Sequence, residues 1–466
     1  MTFEIEGEYN TATVHTALER EECEEGALEQ IQSMADHPAF EGESTIEIMP
    51  DFHYGAGAVI GFTMPIGNRV VPNTIGVDIG CGMSMIQLDG VDSSLWEDQG
   101  EEIDKEIRET VPMGFNVRSE PAIHIVNEFP WTECQTKLDR LLTQLEYSDD
   151  EYPEWFDGYD GEYFKTLCKR VGYDVNRAIM SLGTLGGGNH FIELSESTVD
   201  GNVYCTLHSG SRGIGAAIAQ HWQDKATEAK FQRNATVEIP DSEAKYFGLQ
   251  SGTEVAASEL SINREAVLED YGGEAIEGKY GQLKQFMNAG KNDYSDLDYL
   301  EGTEAIGYYI DMIFAQTYAS LSRELMLQDI ADVLGAEIVE SIESVHNYID
   351  FNDLIIRKGA TRAHDGEYLI IPYNMKEGTV IAKGKGDWNW NNSAPHGAGR
   401  VMSRTQAKNE LSEEKFTEEM SGIVTTELPL DEAPDSYKPV SLIEKSIEPT
   451  AEIVDRLIPI HNLKAE

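Results

Sequence analysis

Four histidines stand among small and polar residues, where a ring has room to reach a ligand. They are His190 in GTLGGGNHFIEL, His208 in LHSGSRGIG, His346 in HNYID and His396 in SAPHGAGRVMSR. The chain has only 11 histidines, so they are useful tracers of chemistry. Imidazole suits Zn, Mn, Fe or Ni, and Asp78 and Cys81 in GVDIGCGM add a carboxylate and a thiolate. Gly76, Gly80 and Gly82 let that segment fold closely enough for both side chains to face one ion. Taken singly, each histidine reads more readily as a structural side chain, and a lone cysteine as a small apolar filler. Their recurrence in similar settings shifts the balance for the set. No HExxH or paired CxxC spacing occurs, so spacing alone is a weak metal signal.

Phosphate chemistry has its own cues. The run Gly186-Gly187-Gly188-Asn189 could present backbone N–H groups to an anion, although glycine triplets also make ordinary turns. Absence of GxxxxGK[ST] excludes a P-loop pattern. Arg212 closely follows His208, and Arg400 and Arg404 lie four and eight residues past His396. Forked guanidinium donors suit phosphate clamping, while the same spacing also describes a solvated helix face. His396 sits between Pro395 and Gly397. A neutral imidazole there could attack a nucleotide α-phosphate and hold it as a phosphoramidate, bind a metal, or act as a general base. Spacing does not choose among these.

The elements that must position these groups read as α+β. Residues 49–88 are glycine-rich and β-branched, as expected of short strands joined by tight turns. Helical spacing marks 98–110 and 136–146, the latter with Leu138, Leu141, Leu142 and Leu145 on one face. A strand and glycine-loop pattern covers 182–215, followed by a helix over 214–234. A mainly helical middle runs over 254–336, with FAQTYASLSRELM (314–326) its clearest amphipathic stretch. Strands return from Ser344 to about Met402, before an acidic tail and a short final helix. The acidic, aromatic segment 147–164 reads as a surface insertion, and parts of 236–300 as additions. Informative residues spread from 78 to 464, which points to one interlaced domain over 1–466.

Bulk charge argues in another direction. With 84 acidic and 35 basic residues the chain carries −49, a surface that repels nucleic acid on average. Residues 354–408 break the pattern with nine Lys/Arg against four acids, as expected of an anion-binding footprint. Trp388 and Trp390 in that stretch could stack on bases or fill a core. The five cysteines form no CxxC pair and read as reduced thiols. No membrane span or signal peptide is visible, so a cytoplasmic monomer is the expectation.

In order along the chain, MPDFHYGAGAVIGF, GVDIGCGM, GTLGGGNHFIEL, LHSGSRGIG, FAQTYASLSRELM, HNYID, RKGATRA, SAPHGAGRVMSR and DEAPDSYKP together resemble the RtcB family of RNA-splicing ligases. The resemblance implies a mixed α/β single domain with a central dinuclear metal cleft. It also implies sealing of RNA 2′,3′-cyclic phosphate or 3′-phosphate ends to 5′-hydroxyl ends, tRNA halves among them, with GTP and two Mn²⁺. Asp78, Cys81 and His190 would then hold one ion, and Cys81, His208 and His346 the other. His396 would be the guanylylated nucleophile. Asn189, Glu193, Asn374, Tyr437 and Lys464 would contact nucleotide, and Arg212, Arg400 and Arg404 RNA or phosphate. Two features depart from the family's usual sequence. IPYNMKEGT (371–379) puts Tyr373 and Asn374 where small residues are usual, and the chain ends in KAE rather than Lys-Gly. Other readings of the same residues are a metal-dependent RNA-end phosphoesterase and a non-catalytic RNA-end binder.

Overall fold

The glycine-punctuated stretch 49–88 forms strands Ile46–His53, Ile60–Pro65 and Gly82–Asp89, in line with its β-branched residues and glycine turns. In this computed structural model, which describes residues 2–42, 44–147, 152–234, 236–250, 253–271, 275–289, 291 and 294–465, those strands divide between two sheets. Ile46–His53 and Ile60–Pro65 join a six-stranded sheet with Thr2–Glu6, Thr11–His15, Ile355–Lys358 and Asn347–Asp350. Gly82–Asp89 belongs to a seven-stranded antiparallel sheet. Its order is Glu337–Val345, Gly82–Asp89, Val203–Ser209, Phe191–Ser197, Ala451–Lys464, Gly378–Gly384 and Tyr368–Asn374. Its two outer strands approach each other, and the Ile370 amide donates to Ser344 Oγ at 3.0 Å. The sheet is therefore curled, as sheet twist favours.

Helix Gly302–Leu334 ties the halves together. Its first turns pack Ile306, Tyr309, Ile310 and Phe314 into the largest apolar cluster, and its last turns pack Met326, Leu327 and Ile330 against the seven-stranded sheet. The expected one-sided face over 314–326 is wider than that. Phe314, Ala315, Thr317, Tyr318, Ala319, Ser322, Arg323 and Met326 are all buried, as befits a central helix. The rest of the expected helical middle is mixed. Helices Arg264–Asp270 and Ala275–Met287 and the strand pair Thr236–Glu238 and Glu254–Ala256 enclose a satellite core around Phe247, Leu260, Val267 and Leu283.

Two expectations change. Across its described residues, 147–164 is not a surface appendage. Tyr159 donates to the Ile310 carbonyl at 2.7 Å, and Tyr163 and Phe164 pack on Phe314. Helix Gly161–Arg170, which carries the last two, starts at Asp160, whose carboxylate accepts from the Glu162 and Tyr163 amides. Residues 148–151 of that segment lie outside the described residues. At the other end, helix Val440–Ile447 forms but is not final, because the chain closes with the 14-residue strand Ala451–Lys464 inside the sheet. Pro459 disguises it, since proline removes a ladder donor. Pairing with Phe191–Ser197 accommodates it by a register shift between Pro459 and His461. Among the described residues no helix is long and apolar enough to cross a membrane.

Candidate metal centre and nucleotide pocket

Strand register brings the metal-ligand candidates together. Asp78 and Cys81 precede strand Gly82–Asp89, in which Met83 pairs with His208 of the next strand. His208 in turn pairs with Phe191, directly after His190. His346 joins the strand Glu337–Val345 of one sheet to Asn347–Asp350 of the other, and its amide donates to the Cys81 carbonyl at 2.9 Å. Cys81 Sγ lies 3.2 Å from His208 Nε2 and 3.7 Å from His190 Nε2. His190 Nε2 is 2.9 Å from Asp78 Oδ2, and His208 Nε2 is 3.1 Å from His346 Nε2. The result is two groups, Asp78–Cys81–His190 and Cys81–His208–His346, with ligand atoms within 4.8 Å of one another and the sulfur in common.

Two of the three rings are set from behind. His190 Nδ1 donates to the Leu185 carbonyl at 2.9 Å and His208 Nδ1 to the Asn189 carbonyl at 3.1 Å, which leaves Nε2 for a ligand. Glycine at 210 is a spatial requirement, because a Cβ there would sit 2.1 Å from Asp78 Oδ1. Burial pushes His208 and His346 well below the usual imidazole range, so both are neutral. Desolvation and the Asp78 charge push the Cys81 thiol well up, so a cation is needed to release its proton. At Asp78 desolvation acts upward, but His190 and hydrogen bonds outweigh it and hold the carboxyl at about 2. A carboxylate, a thiol and three imidazoles with converging Nε2 atoms fit a pair of transition-metal dications.

His396 follows strand Ser393–Pro395, and its ring centroid is 4.9 Å from that of His346. Its Nδ1 lies 2.7 Å from Oδ2 of Asp51, a fully buried carboxylate in strand Ile46–His53. This leaves Nε2 as the nitrogen open to chemistry. Lys438 braces the carboxylate, donating from Nζ to the Pro50 and Phe52 carbonyls (3.3 and 2.7 Å) on either side. Gly359, at φ 64°, packs against Ile60, where a Cβ would meet Cγ2 at 2.2 Å, and lies close to the ring, where a Cβ would be 3.2 Å from His396 Cε1. Asp51 and Lys438 escaped the residue-by-residue reading, although both sit inside quoted motifs, MPDFHYGAGAVIGF and DEAPDSYKP. Lys358 is a third such residue. Burial lowers its amine to about 7, and its Nζ donates to the Ala56 and Asn73 carbonyls.

Asp78, His208, His346 and His396 open onto a cavity of about 550 Å³ that also takes in Asn189, Glu193, Asn374, Arg400, Arg404, Tyr437 and Lys464. Glu193 and Lys464 lie on adjacent paired strands. Burial raises the Glu193 carboxyl to about 7, against the pull of hydrogen bonds from Ser195 and Thr379 and the Lys464 charge. Glu432 gathers the cations. Its Oε2 takes Lys464 Nζ and the Tyr437 hydroxyl, both at 2.8 Å, and its Oε1 lies 2.8 Å from Arg404 and 3.5 Å from Arg400. Asn374 Oδ1 accepts from the Lys376 and Glu377 amides, closing the turn in the unusual loop, and Tyr373 is buried.

Arg212 is placed apart from Arg400 and Arg404. It faces a second cavity of about 1030 Å³ behind the glycine loop, with Gly187, Gly188, Arg177 and the almost fully exposed Phe115. Its Nη2 donates to the Gly114 carbonyl at 3.0 Å, and a Cβ on Gly186 would meet Arg212 Nη1 at 2.0 Å and His190 Nδ1 at 2.7 Å. The second cavity thus lies directly behind the metal centre. The basic stretch 354–408 is also less free than its composition implies. Arg357 pairs with Asp350, Arg362 with Glu367, and Lys408 with Asp431. Trp390 is buried on His15 at 4.0 Å between ring centroids, and Trp388, although exposed, lies outside both cavities.

Known proteins resemble this chain over most of its length. The sequence profile described as "tRNA-splicing ligase RtcB" matches residues 30–258 and 273–465, and the gap falls in the satellite core region. The chain is 28% identical over 430 residues to the RNA-splicing ligase RtcB of Escherichia coli K12, covering 88% of this chain and 87% of that protein. It is 23% identical over 484 residues to the tRNA-splicing ligase RtcB of Thermococcus kodakarensis, covering 93% and 90%. With the family profile matched over nearly the whole length, the chain belongs to the RtcB family.

Proposed function

We propose that this protein is an RNA ligase that joins a 3′-phosphate or 2′,3′-cyclic phosphate end to a 5′-hydroxyl end, with GTP and two Mn²⁺. The observation that carries this reading is His396, whose Nδ1 lies 2.7 Å from the buried Asp51 carboxylate, beside two ligand groups that share Cys81. Names of family relatives support RNA ligation, and the end chemistry and nucleotide are part of the proposal. Bound at the two groups, manganese would polarise phosphate oxygens and offset their charge.

The chain's own residues do the rest. His396 Nε2 attacks the GTP α-phosphorus, a P–N bond forms, and pyrophosphate leaves as the P–O bond breaks. Asp51 holds the ring and balances the charge it gains. Arg400, Arg404 and Lys464 exchange Glu432 for phosphate oxygens and the guanine edge, and Glu193 accepts from guanine N–H groups. An oxygen of the RNA 3′-phosphate then displaces the imidazole and takes GMP. The 5′-hydroxyl oxygen attacks the RNA phosphorus, GMP leaves, and the hydroxyl proton passes to solvent. A cyclic phosphate is first opened by water. Arg212 and Arg177 hold phosphates of the second strand in the cavity behind the glycine loop.

The test is incubation of a 3′-phosphate RNA and a 5′-hydroxyl RNA with each nucleotide and each divalent metal in turn. A sealed strand is expected with GTP and Mn²⁺. Nucleotide-independent opening of cyclic phosphate without sealing would establish the phosphoesterase reading instead, and binding without turnover the end-binder reading.

A further inference from the structure

Arg323 is fully buried in helix Gly302–Leu334, yet it touches none of the proposed reactants. Its guanidinium fork reaches three separate segments. Nη1 donates to the Gly80 carbonyl at 2.8 Å and the Ser209 carbonyl at 2.9 Å. Nε donates to Ser84 Oγ at 3.0 Å, and Nη2 to Glu343 Oε1 at 2.7 Å. Gly80 precedes Cys81, Ser209 follows His208, and Glu343 lies three residues before His346 on the strand that leads to it. One planar group thereby fastens the backbone at or near all three members of the Cys81–His208–His346 group.

The other group is set differently. His190 is oriented by the Leu185 carbonyl, and that carbonyl also accepts from Ser209 Oγ at 2.8 Å. Arg323 makes no hydrogen bond to Asp78, His190 or Leu185 among the described residues. Its carboxylate partner among the described residues, Glu343, has a side chain 41% exposed, so much of the buried charge is met by backbone carbonyls and a hydroxyl. Burying a charge in this way is costly, and a fixed geometry is the best-attested return. Gly80, at φ 71°, seats its loop directly on the helix, because a Cβ there would meet Gln316 Cα and Ala319 Cβ, both at 2.9 Å.

We propose that Arg323 is a positioning residue for one of the two metal sites: it sets His208 and His346 about the shared Cys81 sulfur, whereas Asp78 and His190, whose side chains it does not touch, keep their own supports. The inference rests on the reading of these groups as metal sites. Its test is titration of the purified full chain with Mn²⁺ by calorimetry, and with Co²⁺ by thiolate charge-transfer absorbance. Wild-type, Arg323→Lys, Arg323→Met, His346→Ala and His190→Ala proteins are compared, each with its melting temperature.

Lysine keeps the charge but lacks the planar fork. Arg323→Lys is therefore expected to bind one ion as wild type does and the second ~10–100-fold more weakly, as loss of an outer support does elsewhere. The weakened ion is the one absent from His346→Ala and retained in His190→Ala. If Arg323→Met does not fold, the lysine variant carries the test alone. Equal weakening of both ions, or of neither, overturns the positioning role. A wild-type protein that binds fewer than two ions overturns the underlying metal reading instead.

Discussion

At the candidate metal end of the cleft, side chains with lone pairs converge on one another, whereas at the candidate nucleotide end the cations already have carboxylate partners. His190 and His208 are braced by backbone carbonyls, strand register places His208 beside Met83, two residues past Cys81, and burial beside Asp78 keeps the Cys81 thiol protonated. Arg400, Arg404 and Lys464 instead converge on the single carboxylate of Glu432. The first end is a preformed receptor. The second must exchange partners, so its affinity is a difference between two charge-assisted sets.

That contrast can be broken at several points. Cys81→Ala removes the donor common to both ligand groups. Sealing is expected to fall by ~10²–10³-fold or more, the scale seen when a group that meets developing charge is lost. Metal content measured alongside ligation rate checks this, and an active variant with two bound ions would contradict it. Lys464→Met acts only at the exchanging end and leaves Glu432 with Arg404 and Tyr437. It should raise the KM for GTP ~10–100-fold, from the ~1.5–3 kcal/mol of a hydrogen bond to a charged group, with metal binding unchanged in the same titration.

Glu193 gives the pH dependence. Burial raises its carboxyl to about 7, so it is neutral below that pH and ionised above it. Its folded value exceeds the ordinary one, so the stability it contributes is present in acid and lost as pH rises through about 7. Binding runs the other way, because only the ionised carboxylate accepts both guanine N–H groups. GTP affinity should therefore rise through that pH, and Glu193→Gln should flatten the profile. A wild-type KM for GTP that does not change across neutrality would remove Glu193 from base recognition. Arg177→Ala is the smallest effect expected, ~5-fold on the KM for the 5′-hydroxyl strand, or about 1 kcal/mol for one phosphate contact. An equal rise in the KM for GTP would show that the second cavity is not separate.

The same contrast explains what the sequence made legible. Asp78, Cys81 and the histidines are rare residue types in glycine-rich settings, and strand ends deliver them together. Helices over 95–110 and 131–144 were visible because their apolar spacing was complete. The nucleotide end depends on long-range pairing. Lys464 reaches the cavity only because a strand interrupted by Pro459 is threaded into the middle of a sheet. Asp51 and Glu432 were hidden among 84 acids, and only burial beside a particular histidine or lysine sets them apart. The basic stretch 354–408 misled in the opposite way, since several of its cations meet partners such as Asp350 and Asp431 outside that window.

His396 stands at the meeting point of the two ends, with Nδ1 beside the Asp51 carboxylate. Protein incubated with Mn²⁺ and GTP labelled at the α-phosphorus should carry the label in an acid-labile, base-stable bond, and His396→Ala should carry none. Asp51→Ala should reduce the rate of labelling without changing the site labelled. A covalent adduct that forms as readily in His396→Ala, or sealing by wild-type protein with no nucleotide bound or consumed, would contradict the account.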